Sequence, residues 1–98
     1  MAYAISFTKE VGRQIGRLPG KVKATAKRQI AALSDEPRPA ESRELFGHPT
    51  HFRSWIDGTY RLVWRVDDDG RVVEIEYVGP KTPDLYAFLG LGRPSDGE

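Results

Sequence analysis

Two arginines, Arg61 and Arg65, lie four residues apart in the alternating stretch Tyr60 to Val66. On an extended strand both project from the same face. A guanidinium at mid-strand on an uncovered face suits bidentate contact with a phosphate. Arg65 has a second use, because the alternation places it opposite Glu74, and such cross-strand pairs contribute about 0.2–1 kcal/mol. Arg61 has only a diagonal carboxylate, Glu76, so structural pairing and phosphate contact both stay open. His48 and His51 are three residues apart but flank Pro49, and nothing nearby completes a metal ligand set. The run Asp67-Asp68-Asp69 precedes Gly70 and reads as a hairpin tip rather than a metal site. There is no HExxH, no phosphate-cradling glycine loop and no triad-like motif. Cysteine is absent, which removes thiolate ligands, disulfides and a thiol nucleophile. Neither a metal nor a cofactor is expected.

The elements that position these residues must fit in 98 residues. That length makes one small domain and excludes a two-domain enzyme. No apolar run is long enough to span a membrane. The opening residues show no charged n-region followed by an apolar segment, so no signal peptide is expected and the chain reads as soluble and cytoplasmic. The net charge of +1 hides an asymmetry: residues 1–33 carry seven cations and one anion. A basic first third points to an anionic partner, of which nucleic acid is the commonest, or to a pair of solvated helix faces.

Residues 2–7 alternate, with Tyr3, Ile5 and Phe7 on one side, and read as a short strand. Thr8 is placed to cap a helix whose apolar face is Val11, Ile15 and Leu18. Pro19-Gly20 ends it. Val22, Ala26, Ile30 and Leu33 make a second helical stripe, completing an αα-hairpin whose outward faces carry most of the cations. Residues 34–42 hold two prolines and read as a loop. Leu45 and Phe46 are expected core contacts before a turn at Gly47-His48-Pro49. Phe52 and Trp55 indicate a strand of unresolved phase, and Asp57-Gly58 a turn. Tyr60–Val66 and Arg71–Val78 form a hairpin around an expected two-residue turn, Asp69-Gly70. In that register Leu62 faces Tyr77, Trp64 faces Ile75 and Val66 faces Val73, all on the core side, while Val63 meets Glu76 and Arg61 meets Val78 outside. Thr82-Pro83-Asp84 starts a short helix with Leu85, Phe88 and Leu89 as its stripe. Residues 1–90 are therefore expected to be one domain and 91–98 a frayed tail. The fold class is α+β: an N-terminal strand and αα-hairpin packed on a small twisted antiparallel sheet, with a short C-terminal helix.

The order of several segments resembles the RelE/ParE superfamily of toxins from bacterial type II toxin–antitoxin systems, the RelE-like branch more than the ParE-like one. The resemblance spans roughly residues 3–90. It rests on the strand ending Ser6-Phe7, the break Arg17-Leu18-Pro19, Ile30-Ala31-Ala32-Leu33 before a proline loop, and Leu45-Phe46-Gly47. It continues through Gly58-Thr59-Tyr60-Arg61-Leu62-Val63-Trp64, Tyr77-Val78-Gly79 and Asp84-Leu85-Tyr86. It implies a cytoplasmic, ribosome-dependent mRNA endonuclease that enters the ribosomal A site and inhibits translation. The implied chemistry is metal-free attack of a ribose 2′-OH on its own 3′-phosphate, and a cognate antitoxin would be the protein partner. ParE-like members share the fold but bind DNA gyrase without chemistry, which is the alternative, beside a catalytically weakened antitoxin-binding relative.

By position, Arg61 matches the arginine that contacts the scissile phosphate. Lys81 stands where the family usually has arginine, and Tyr86 matches the C-terminal tyrosine. Tyr86 also has a packing role open to it. The lysine pair that RelE-like members place before the central strand is absent, and His51, Phe52, Arg53 and Ser54 stand in its neighbourhood. There Arg53 could supply charge and His51 a base. The resemblance assigns ribosomal RNA contacts to Lys21, Lys23, Lys27 and Arg28 on the exposed side of the second helix. Glu74 and Glu76 put negative charge where mRNA would lie, although one of them could serve as a base. Trp55 and Trp64 read as core residues rather than base-stacking platforms.

Overall fold

The structure is a computed structural model and describes residues 2–45, 47–83 and 85–90. Its elements are β1 (Ala4–Phe7), α1 (Lys9–Gly16), α2 (Gly20–Ala32), β2 (Arg43–Leu45), β3 (His48–Ile56), β4 (Tyr60–Asp67), β5 (Val72–Pro80) and α3 (Leu85–Phe88). The tail expected at 91–98 lies outside the described residues, as do Phe46 and Asp84 and the side chain of Phe88.

Thr8 caps α1 as expected: its Oγ1 accepts the Val11 N–H at 3.2 Å. Pro19, with no N–H to place, stands at the start of α2. The two helices lie on one face of the sheet. Val11, Ile15, Leu18, Val22, Ala26, Ile30 and Leu33 meet Phe52, Ile56, Leu62, Trp64, Val66, Val73, Ile75 and Val78 in one core. Trp64 is fully buried, and its Nε1–H donates to the Pro37 carbonyl at 2.9 Å, so the proline loop is tied under the sheet.

The sheet runs β1-β5-β4-β3-β2. The fold class stands as read, with one parallel addition: β1 pairs parallel with β5, Ile5 beside Val73. The αα-hairpin carries the chain from β1 at one edge of the sheet to β2 at the other, and the antiparallel strands then return to place β5 beside β1. A short edge strand, β2, was not expected. It pairs with β3, Arg43 beside Arg53.

The hairpin register holds from Asp67/Val72 to Trp64/Ile75 and then shifts by one at a bulge. Beyond it Leu62 faces Val78, Val63 faces Tyr77 and Arg61 faces Gly79. The expected pairs Leu62/Tyr77, Val63/Glu76 and Arg61/Val78 are therefore corrected. A bulge sets two residues against one. It brings the small apolar Val78 into the core and turns Tyr77, with its polar hydroxyl, outward. Gln14 Oε1 accepts the Val78 N–H at 2.9 Å. The turn is also longer than expected. Residues 68–71 lie outside the ladder, and it is Arg71, not Gly70, that takes a positive φ of 55°. Asp67 Oδ1 accepts the Gly70 N–H at 3.1 Å. Asp68 accepts from Tyr3 and Arg38, each at 2.7 Å, so the acidic run is a braced hairpin tip.

Candidate active site on the outer sheet face

The face opposite α1 and α2 is read directly from the register. Across β3, β4 and β5 it presents three rows: His51–Arg65–Glu74, Arg53–Val63–Tyr77 and Trp55–Arg61–Gly79. Rows on one face are two residues apart, about 7 Å. The C-terminal helix lies over this face. Leu85 and Tyr86 pack with Leu45 and Val63 in a second cluster, flanked by Tyr77 and Leu89.

Arg61 is consequently only 2% exposed. The uncovered face expected for it is covered. Its guanidinium carbon lies 3.9 Å from the Trp55 ring centroid and 6.0 Å from that of Tyr86. Lys81 Nζ lies 5.6 Å from the same Tyr86 ring. Arg61, Lys81 and Tyr86 therefore converge, with both cations near one phenol ring whose negative face attracts them. Gly79 lies beside them in the Arg61 row. The Tyr77 hydroxyl donates to the Pro80 carbonyl at 2.6 Å, and a Cβ at Gly79 would sit 2.8 Å from the Tyr77 hydroxyl oxygen, displacing it.

Arg53 is buried in the middle row, 5% exposed, between β2 and β4. His51 is not brought to Arg61. It begins the far row, two rows from the Trp55–Arg61 row. Its imidazole stands edge-on to His48, with ring centroids 5.9 Å apart. Partial burial, then His48 and Arg65, lower its pKa. In the same row Arg65 binds Glu74 at 2.8 Å, the pairing read from the sequence. Glu76, carried on the bulge, has its pKa raised first by burial and then by Glu74. Among the described residues no group of three or more His, Cys, Asp or Glu could hold a metal ion.

No family model matches the chain, and no curated protein does. Solved structures do. The RelBE2 toxin–antitoxin complex of Mycobacterium tuberculosis contains a chain 29% identical, with TM-score 0.68, covering 83% of this chain and 100% of its own. The intact RelBE toxin–antitoxin complex of E. coli contains one 26% identical, with TM-score 0.72, covering 83% and 99%. The isolated E. coli RelE toxin is 25% identical, with TM-score 0.72, over 89% and 94%. The chain is similar to toxins of the RelE/ParE superfamily over most of its length. A YoeB/ParE toxin of Agrobacterium tumefaciens shares the fold at 15% identity.

Two features of this RelE-like chain were not legible in the sequence. The first is Trp55, read as core but 47% exposed beside Arg61. Alternation from Phe52 to Ile56 would have turned it outward, but polar Ser54 on the core face obscured the phase. The second is that the cations of α2 do not form one stripe. Lys23 and Lys27 line an open groove of about 450 Å³ with Ile5, Phe7 and Ile15, next to β1 and α1. Arg28 lines a recess on the other flank with Glu36, Glu41 and Trp64. At 100° per residue Lys21 stands on Arg28's flank. No helix among the described residues is long and apolar enough to cross a membrane.

Proposed function

We propose that this chain is the toxin of a type II toxin–antitoxin pair, and that it cleaves mRNA on the ribosome in the cytoplasm. The observation that carries the reading is the convergence of Arg61, Lys81 and Tyr86 on one patch of the outer sheet face. In the proposed reaction a ribose 2′-oxygen attacks the adjoining phosphorus. The 2′-O–P bond forms and the bond to the next nucleotide's 5′-oxygen breaks. Arg61 and Lys81 offset the charge that builds on the phosphorane oxygens. Arg61 supplies the fork and Lys81 a point charge. The 2′-hydroxyl proton passes to solvent water, and the Tyr86 hydroxyl, reprotonated from solvent, would give a proton to the departing 5′-oxygen. Arg53, one row away, contributes positive potential along the path of the RNA.

Because Tyr86 and α3 cover Arg61, the phosphate reaches the guanidinium only when this four-residue helix lifts. So short a helix has little stability of its own, and its place depends on the Leu85 and Tyr86 contacts. The antitoxin would neutralise the chain by controlling this face. Expression of Arg53→Ala, Arg61→Ala and Lys81→Ala variants tests the assignment. Each should relieve growth arrest, and arrest unchanged in all three removes the site.

One observation favours a second reading, a non-enzymatic poison of DNA gyrase. A covered Arg61, on a sheet whose β5 also carries acidic Glu74 and Glu76, is a poor landing place for RNA. Under that reading growth arrest persists in the three variants, and topoisomer distributions change while mRNA stays intact.

A further inference from the structure

We propose that the exposed Trp55 indole is a stacking platform for a nucleobase of the RNA, next to the phosphate held by Arg61. The proposal rests on the nuclease reading and deepens it. Among the described residues Trp55 and Phe7 are the exposed large hydrophobics, at 47% and 49%. They lie far apart in kind as well as place: Phe7 borders the groove by α1, whereas Trp55 adjoins the cationic patch.

The Arg61 guanidinium lies 3.9 Å from the centroid of the Trp55 ring. A guanidinium at that distance stacks on the indole and steadies the ring, while 47% of the residue stays exposed. The backbone beneath is also anchored, since Gln29 Nε2 donates to the Trp55 carbonyl at 3.4 Å. A nucleotide joins a flat base and a charged phosphate through one ribose. An aromatic face beside a guanidinium offers a partner for each. Every base has a π-face, so stacking of this kind tolerates sequence. Unlike Arg61, Trp55 is accessible while α3 is in place. A base can therefore dock on Trp55 before the helix lifts, and binding there precedes exposure of the cation.

The test is cleavage of ribosome-bound mRNA by the full chain and by Trp55→Phe, Trp55→Leu and Arg61→Ala. Loss of one base–aromatic stack lowers affinity by roughly 5- to 150-fold. The proposal expects Trp55→Leu to raise KM within that range and Trp55→Phe to stay within about threefold of the parent chain. Leucine still covers the Arg61 stem, so a purely packing role would leave Trp55→Leu near the parent. Equal KM for the leucine and phenylalanine variants, with Arg61→Ala inactive, overturns the stacking role and leaves the nuclease reading standing. No cleavage by any chain, the parent included, overturns both. If growth arrest then still depends on Trp55, the ring serves a protein partner instead.

Discussion

The three-row geometry makes a sharp prediction about His51. A residue with an imidazole near the site is an attractive general base, and its position invited that role. Along β3, His51 and Trp55 are four residues apart, which is about 13 Å of strand. The Arg61 guanidinium lies over Trp55, not over the far row. A general base must come within about 3 Å of the proton it takes, or act through one water. A phosphate held at Arg61 is therefore out of reach of His51. Were His51 the base, its loss would cost about 10²- to 10⁴-fold in rate. The expected result for His51→Ala is a rate within about threefold of the parent, far below that range. The pH profile sharpens the contrast. Burial, His48 and Arg65 all favour the neutral imidazole, so a catalytic His51 would give an acid limb shifted to lower pH than an ordinary histidine's. The limb would vanish in His51→Ala. Single-turnover cleavage across pH 5–8 is the assay. A hundredfold loss at neutral pH, with disappearance of the acid limb, would refute the row argument.

Other outcomes follow from individual contacts. Trp64→Phe removes the donor to the Pro37 carbonyl, and an unpaired buried acceptor costs about 1–3 kcal/mol. Thermal unfolding should shift down by about 4–24 °C, at 4–8 °C per kcal/mol for a domain this size. Glu76 has its pKa raised by burial and by Glu74, so folding favours its protonated form. That stabilisation is complete below the ordinary glutamate range and is lost as pH rises through the raised pKa. Glu76→Gln should thus raise Tm at pH 7, with a gain that closes below about pH 4. Because Lys21/Arg28 and Lys23/Lys27 occupy opposite flanks of α2, one phosphate strand meets only one pair. Neutralising that pair should flatten the salt dependence of ribosome binding by about 1.4–1.8 in log–log slope, while the other pair changes it little. Equal slopes for both double variants would contradict the divided arrangement.

Where side-chain period and turn chemistry agree, the sequence was legible. Thr8, the α1 and α2 stripes, Asp57-Gly58 and the inner half of the β4–β5 register stand as read. The Arg65–Glu74 pair followed from that register alone. What escaped were effects without a periodic signature. A bulge inserts one residue, and the apolar character of both Tyr77 and Val78 made either acceptable opposite Leu62. The edge strand β2 is three residues long, too short to show alternation. Tertiary packing alone buries Arg61, because α3 returns across the sheet from residues far along the chain. Lys81 and Tyr86 were reached through family resemblance rather than through spacing. Their approach to Arg61 is a property of the fold.

Primer extension on a reporter mRNA, with purified chain and with or without 70S ribosomes, tests the central claim most directly. The account predicts cuts within A-site codons that appear only with ribosomes and disappear in Arg61→Ala. Intact mRNA, from a chain that still arrests growth, would contradict it and return Arg61 to a purely structural role beneath Trp55 and Tyr86.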